Sequence, residues 1–160
     1  MTSFEHDSIV VYLKDVHPKG DEDAEFPTFN ITVQVAKTDA GESWEAVLHS
    51  LMAAPGSNED SDFTELLNNM GSFFDTPLKF HRTFDGHVAN FHQSTVKLAS
   101  LNPAKIHKAK LEWANDHHDT RLVFQIQAQA GGDVCGVLSD YLGHKLRLET
   151  VCPQEDLPLA

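Results

Sequence analysis

Histidine is the residue type that offers the widest range of chemistry in this sequence, which has ten histidines in 160 residues. The dipeptide Asp85-Gly86 lies between two runs rich in aromatic residues and predicts a tight β-hairpin, because a type I′ turn needs positive φ at both central positions. A two-residue loop here puts Phe84 opposite His87 and makes His81 and His92 diagonal neighbours on one face. Two imidazoles so placed could bind a divalent metal, although zinc normally takes three or four protein ligands. We therefore predict an ordinary polar surface of the hairpin, with a metal site at His81 and His92 as the alternative.

A second group of possible metal ligands follows at Asp116-His117-His118-Asp119. Imidazole and carboxylate groups are ligands that divalent metals accept. Adjacent residues of a loop rarely point at one centre, however, and Asp often forms turns through its own backbone bonds. We therefore predict a turn here, with His117, His118 and Asp119 as an alternative metal site. The sequence predicts no cofactor, and a divalent metal such as zinc is the alternative.

The two cysteines, Cys135 and Cys152, are too few for a disulfide scaffold and lack a metal-binding spacing. We expect both to be reduced thiols. Cys135 falls in the first turn of a predicted helix that begins at Asp133, where the helix dipole favours a thiolate. Its apolar neighbours Val134 and Val137 favour a packed, structural thiol instead. We predict the structural role, with a nucleophile paired to a histidine as the alternative.

Sequence motifs of the common catalytic and nucleotide-binding sites are absent from the chain. It contains no P-loop, no G-x-G-x-x-G, no H-E-x-x-H and no G-x-S-x-G pattern. An enzymatic function would therefore depend on looser groupings such as the histidines, and we favour a non-catalytic protein.

Charge is distributed unevenly along the chain, whose formal net charge is −12. Residues 1–75 carry all of this net charge, whereas residues 76–160 are balanced and the stretch 79–121 is slightly basic. An acidic surface repels nucleic acid and membranes and steers basic partners towards itself. The candidate partner-binding residues are the acids of two polar stretches: Asp21, Glu22, Asp23, Glu25, Glu59, Asp60 and Asp62.

A basic segment, residues 97–121, offers a different function. Basic and aromatic side chains could together line a groove for single-stranded nucleic acid, through phosphate contacts and base stacking. The two aromatic residues fall on positions predicted to be core, and the whole chain is acidic, so nucleic acid is a disfavoured partner. The residues concerned are Lys97, Lys105, Lys108, Lys110, Arg121, Trp113 and Phe124.

The first half of the chain predicts two strands followed by two helices. Apolar and β-branched residues predict strands at 8–16 and 28–37, joined by an acidic loop. Apolar residues then recur at helical spacing in two segments, 43–52 and 62–70, each with a capping signal at its start. The apolar residues are Trp44, Val47, Leu48 and Leu51 in the first helix, and Phe63, Leu66, Leu67 and Met70 in the second.

The second half returns to strand patterns. After the Asp85-Gly86 hairpin we predict a further strand near 94–101 and strands at 103–114 and 121–128, joined by a turn; helix remains the alternative for 103–114. A short helix over 134–141 and a last strand over 144–151 follow. The pattern predicts an α+β fold of mostly antiparallel sheet with helices packed on one face. A single domain would span 1–152, with 153–160 as a flexible tail.

These features favour a small non-catalytic interaction module of the adaptor, inhibitor or immunity type, which presents its acidic half to a basic protein. A histidine-rich metal-binding protein or small metal-dependent enzyme is the alternative, and a single-stranded nucleic-acid binder is a second one. No apolar run approaches the roughly 20 residues that span a bilayer, and the amino terminus is acidic. We therefore expect a cytoplasmic protein without membrane contact, with homo-oligomerisation left open.

Overall fold

Seven strands and three helices form the part of the chain described by the computed structural model, residues 4–19, 28–52, 78–114, 119–130 and 132–153. The strands are β1 (His6–Lys19), β2 (Thr28–Ala36), β3 (Leu78–Lys79), β4 (Phe84–Gln93), β5 (Val96–Ala114), β6 (Asp119–Gln129) and β7 (Lys145–Val151). The helices are α1 (Lys37–Ala40), α2 (Ser43–Met52) and α3 (Gly132–Ser139). The predicted antiparallel, strand-rich α+β architecture is confirmed.

The sheet closes on itself. Its strands follow the order β3-β5-β4-β7-β1-β2-β6, and every pairing is antiparallel. Because β5 also pairs with β6, six of the strands form a continuous cylinder. The 19-residue β5 makes this possible, since β4 pairs with its first part, from Val96 to Ile106, and β6 pairs with its second part, from Ala104 to Ala114.

The interior of the cylinder is the hydrophobic core. Successive side chains of a strand point to opposite faces, so one residue in two faces inward. Apolar side chains fill these inward positions and are almost wholly buried. They include Ile9, Val11 and Leu13 of β1, Ile31, Val33 and Val35 of β2, Leu122, Phe124 and Ile126 of β6, and Leu146 and Leu148 of β7.

The described helices lie at the two ends of the cylinder. In a sheet of alternating strand directions, the starts of β1, β4 and β6 share one end with the ends of β2, β5 and β7. α1 and α2 follow β2 and therefore lie at this end, whereas α3 connects β6 to β7 at the opposite end. The prediction of helices packed on one face is not confirmed, because the described helices lie at opposite ends of the cylinder.

The predicted hairpin at Asp85-Gly86 is wrong. This dipeptide lies inside β4, where the register with β5 shifts between Phe84 and His87, and Gly86 has a φ of 67°. The turn that joins β4 to β5 is at 94–95 instead. Asp-Gly thus supplies the positive φ of a β-bulge rather than that of a turn.

Residues 103–114 form a strand, which confirms the prediction of strand rather than helix for this segment. They continue directly from the strand predicted near 94–101, so that β5 is one element, with a cis peptide at Asn102-Pro103. The predicted strands at 8–16, 28–37, 121–128 and 144–151 and the helix at 43–52 are also confirmed. The predicted helix over 62–70 and most of the predicted tail, 154–160, lie outside the described residues. No helix within the described ranges has the length and hydropathy needed to cross a membrane.

Helix α2 is anchored to the start of β1. The Ser50 hydroxyl donates to the Ala46 carbonyl and lies 3.0 Å from Nε2 of His6. The Ser50 carbonyl accepts a hydrogen bond of 2.9 Å from Arg82, so the same turn of α2 also reaches the segment that precedes β4. The imidazole of His6 stacks edge-on against Phe4, whose ring is completely buried. Burial lowers the pKa of His6 from 6.5 to about 4, against the opposing charges of Asp7 and Glu5.

We predict that His6 makes the protein less stable in mild acid. The unfolded imidazole takes up a proton near pH 6.5, whereas the folded one resists protonation until about pH 4. The stability that His6 contributes is therefore complete above pH 6.5 and is lost as the pH falls towards 4, by about 1–2 kcal/mol at pH 5. Denaturant unfolding at pH 7 and at pH 5 should show a smaller loss for His6→Gln than for the parent protein.

The matched control is His17→Gln, at an exposed position of the same strand. It is expected to retain the pH dependence of the parent protein. A His6→Gln variant that loses as much stability between the two pH values as the parent does would contradict this role for His6.

Candidate functional site

A concave site of about 680 Å³ lies on the outer surface of the cylinder. Its floor crosses four neighbouring strands. Thr32 of β2 pairs with Gln125 of β6, Gln125 pairs with His107 of β5, and β1, which carries Lys14, pairs with β2 on the other side. We call this site the lysine groove. It is lined by Lys14, Thr32, Lys79, Phe80, His81, Thr83, His107, Lys108, Ala109, Lys110, Val123 and Gln125.

Two β-bulges place lysines in the groove. On β1 the register passes from Leu13↔Val33 to Asp15↔Thr32, so Lys14 is an extra residue. On β5 the register passes from His107↔Gln125 to Lys110↔Val123, and Lys108 there has a φ of 54°. A bulge re-aims the side chains beside it, and bulges are common next to functional sites. The fold thus departs from regular pairing at Lys14 and at Lys108, two of the four lysines that line the groove.

Most of the positive charge of the groove is not balanced by carboxylates of the described residues. Lys79 of β3 is the direct register partner of Lys110 of β5, and like charges placed opposite each other destabilise a sheet. Lys110 has an ion pair with Glu112 at 3.1 Å, and Glu112 is shared with Arg121 at 3.3 Å. Among the described residues, Lys14, Lys79 and Lys108 have no ion pair, and no Asp or Glu lines the groove.

Glu112 is therefore the carboxylate of the described strands that forms an ion pair with a lysine of the groove. Burial acts to raise the pKa of Glu112, but the hydrogen bonds and charges of Lys110 and Arg121 outweigh it and lower the pKa. The carboxylate consequently stays ionised and neutralises part of the charge of two cations. The remaining lysines keep a net positive potential in a concave space, where field lines concentrate.

The inner part of the groove is apolar, with one buried acceptor. The backbone N–H of Phe80 donates to the carbonyl of Ala109 at 2.9 Å, which holds the backbone of Phe80 beside β5. Val123 is 5% exposed and forms part of the floor. The buried Oε1 of Gln125 accepts no hydrogen bond from the described residues. Cations at the rim, an apolar wall and a buried acceptor together suit a small anion with an apolar body.

The histidines predicted to share a metal site are far apart. His81 precedes β4, next to β5, whereas His92 lies near the other end of β4, opposite Lys97 and Arg147. From Phe84 to His92 the strand alone rises by roughly 25 Å. The prediction that His81 and His92 are neighbours depends on a turn at Asp85-Gly86, and this dipeptide lies inside β4 instead.

Each of these histidines has other surroundings. His81 lines the lysine groove, and Nε2 of His92 lies 3.6 Å from Glu149, which also accepts a hydrogen bond from Asn90. His117 and His118 fall outside the described residues, and Asp119 is the first residue of β6. The described ranges contain no group of three or more His, Cys, Asp or Glu side chains that could hold a metal ion.

His87 has a structural role that the sequence did not reveal. It is 1% exposed, and its Nε2 accepts a hydrogen bond of 3.0 Å from the backbone N–H of Phe4. Its Nδ1 therefore carries the proton and donates to the carbonyl of Asp85 at 2.9 Å. His87 links the amino-terminal segment to the bulge of β4.

All seven predicted partner-binding acids lie outside the described residues: Asp21, Glu22, Asp23, Glu25, Glu59, Asp60 and Asp62. The described ranges hold 12 of the 24 acids and all 12 Lys and Arg residues, so they carry no formal net charge. The whole net charge of −12 belongs to the remaining segments.

The residues predicted to line a nucleic-acid groove are dispersed. Phe124 is completely buried inside the cylinder and cannot stack on a base. Lys105 lines a separate, smaller depression of about 330 Å³ beside Asp85 and Gly86, and Lys97 lies next to the turn between β4 and β5. Only Lys108 and Lys110 of this set line the lysine groove.

Cys135 is 7% exposed in α3, as expected for a packed thiol. Burial, and then the charge of Asp133, raise the pKa of its thiol. Both effects disfavour the thiolate, which is the reactive form. Neither Cys135 nor Cys152 forms a disulfide, in agreement with the sequence.

Comparison of the chain with family models, with curated proteins and with solved structures found no match.

We predict that Cys135 resists alkylation in the folded protein. Iodoacetamide at neutral pH should label the more accessible Cys152 first and Cys135 only on unfolding, because Cys135 is buried and its thiol pKa is raised. Cys135→Ser should lower the free energy of unfolding by roughly 1–3 kcal/mol, since a buried hydroxyl would lack a partner.

Cys152→Ser is the matched control, with an expected change close to zero. Mass spectrometry of the labelled protein and denaturant unfolding of both variants give the two readouts. Rapid labelling of Cys135 in the native state, together with an unchanged stability of Cys135→Ser, would instead indicate a reactive thiol.

Proposed function

We propose that this protein is a non-catalytic binding protein whose lysine groove receives a small anionic ligand. The single observation that carries the proposal is the grouping of four lysines around a concave site with no carboxylate among its described lining residues. These lysines come from three separate strands, β1, β3 and β5, so they are neighbours only in the folded chain.

Electrostatic repulsion supports this function. Placing Lys79 directly opposite Lys110, with Lys108 two residues away, costs stability, and Glu112 offsets this repulsion only in part because it is shared with Arg121. An anion in the groove would offset that repulsion, and the low-dielectric walls would strengthen the attraction. The size of the groove, about 680 Å³, lies within the range of small-molecule sites, roughly 300–1,000 Å³.

The test removes the charge of two of the lysines and keeps a long aliphatic side chain at each position. The double variant Lys79→Met, Lys108→Met is expected to bind the fluorescent anion 8-anilinonaphthalene-1-sulfonate at least about tenfold more weakly than the parent, the loss expected from roughly 1.4 kcal/mol of ion pairing. The salt dependence of binding should decrease at the same time. Without ligand, the variant should be as stable as the parent or slightly more stable, because a like-charge contact is relieved.

Lys97→Met is the matched control, since this exposed lysine lies outside the groove. It is expected to bind the probe like the parent protein. Equal binding by the parent, the control and the double variant would refute the proposal. Binding of a single-stranded oligonucleotide that is tight, salt-dependent and lost in the double variant would replace it with a nucleic-acid interface.

A second proposal concerns the acidic segments, which we infer bind a basic protein partner. It is supported by the charge distribution, since the entire net charge of −12 lies outside the balanced described ranges. An unbalanced charge concentrated in a few segments steers an oppositely charged protein during encounter. The groove and these segments would then recognise ligands of opposite charge.

Neutralising the seven acids tests the second proposal. Substitution of Asp21, Glu22, Asp23, Glu25, Glu59, Asp60 and Asp62 by Asn or Gln is expected to slow association with a basic protein such as lysozyme and to flatten its dependence on salt. The control pair Glu42→Gln and Asp140→Asn removes exposed acids of the described ranges and should have a much smaller effect. Stopped-flow association rates over a salt series provide the measurement, and a rate that the seven substitutions leave unchanged would exclude steering by these acids.

A further inference from the structure

The cations of the lysine groove are concentrated on one side of it. Lys79 and Lys110 are register partners, and Lys108 precedes Lys110 by two positions on the same strand. In an antiparallel pair, the Cβ atoms of opposed residues lie about 4.5–5.5 Å apart, so these three ammonium groups can converge on one compact anion. Lys14, which β1 contributes, is the only lysine that lines the opposite side within the described residues.

The charge of this cluster exceeds what one carboxylate can neutralise. Glu112 is the only described carboxylate paired to it, and it is already shared between Lys110 and Arg121. A monoanion would leave most of the excess charge uncompensated. A phosphate monoester carries a charge close to −2 above its second pKa, near 6, and offers three acceptor oxygens. Three lysines around one point therefore match the phosphoryl group of a monoester better than a carboxylate or a sulfate monoester, each of which carries a single negative charge.

The remainder of the groove is too large for the phosphoryl group alone. From the lysine cluster on β5, the floor continues over β6 and β2 towards β1, a width of three strand spacings or roughly 14 Å. Along this path Val123 provides an apolar contact, and Gln125 has a buried Oε1 that accepts no hydrogen bond from a described residue. Phe80 adds a second apolar contact from the β3 side of the lysine cluster. A ligand body that covers this floor needs an apolar part and an N–H or O–H donor for Gln125.

We infer that the ligand of the lysine groove is a small phosphate monoester whose phosphoryl group lies among Lys79, Lys108 and Lys110 and whose body donates a hydrogen bond to Gln125. This inference rests on the proposed anion-binding function and adds the class of ligand to it.

The first experiment compares two probes of one shape and different charge, phenyl phosphate and phenyl sulfate, by isothermal titration calorimetry at pH 8. The phosphate is a dianion at this pH and the sulfate a monoanion, whereas both present a phenyl ring and a tetrahedral group. We expect the parent protein and Lys97→Met to bind phenyl phosphate at least about tenfold more tightly than phenyl sulfate. The double variant Lys79→Met, Lys108→Met should lose this preference.

The outcomes separate the inference from the function on which it rests. Lysine-dependent binding of the naphthalene sulfonate together with equal affinities for phenyl phosphate and phenyl sulfate would overturn the phosphate assignment and leave the anion-binding function in place. Failure of the double substitution to weaken any of the three probes would overturn both.

The second experiment tests the hydrogen bond to Gln125. Adenosine monophosphate carries donor groups on its body, whereas phenyl phosphate carries none. Gln125→Leu is expected to weaken binding of adenosine monophosphate by about fivefold to tenfold more than it weakens binding of phenyl phosphate, as expected for one lost hydrogen bond. An equal effect on both ligands, or no effect on adenosine monophosphate, would overturn the assignment of Gln125 as the acceptor.

Discussion

The pairing of β5 with two different neighbours is the interaction on which the rest of this structure depends. Its first part completes the pairing of β4 and its second part completes that of β6, so six strands close without an exposed edge. Closure gives the inward side chains of all six strands one common interior. It also brings β1, β2, β6 and β5 side by side, although the chain visits other elements between β2 and β5. The lysine groove exists only because these four strands are adjacent.

The elements of this fold are largely encoded by local patterns. A run of β-branched residues identifies β1, and alternation identifies β2 and β6. The spacing of Trp44, Val47, Leu48 and Leu51 identifies α2, because residues at this spacing share one buried face of a helix. Closure is not local, since it depends on how far β5 extends past the end of β4. Asp85-Gly86 shows the same limit: a dipeptide that allows positive φ fits a turn or a bulge equally well, and only the pairing partner decides between them.

The lysine groove could be predicted only in part, although its bulges leave a trace in the sequence. On β1 the inward residues are Ile9, Val11 and Leu13, but the next partly buried one is Val16 rather than residue 15. On β5 the inward positions change from Ala104 and Ile106 to Ala109 and Leu111. Each change of phase marks one extra residue in a strand. Grouping His107 with Ala109 and Leu111 as one alternating face conceals the second change, and no local pattern shows that both bulges border the same groove.

The closed sheet also keeps two of the like charges of the groove in place, because Lys108 and Lys110 belong to β5. Lys79 lies on β3, outside the cylinder, and is held by the pairing of β3 with β5. In an open sheet, repulsion between opposed lysines could be relieved by fraying or by a slip in register. Here β5 is held by β4 and β6 over most of its length, and the hydrogen bond from Phe80 to Ala109 fixes the segment that follows Lys79. The ammonium groups are therefore kept near one another before any ligand arrives. A ligand that neutralises them does not have to order the strands that carry them, so more of its electrostatic attraction remains as affinity.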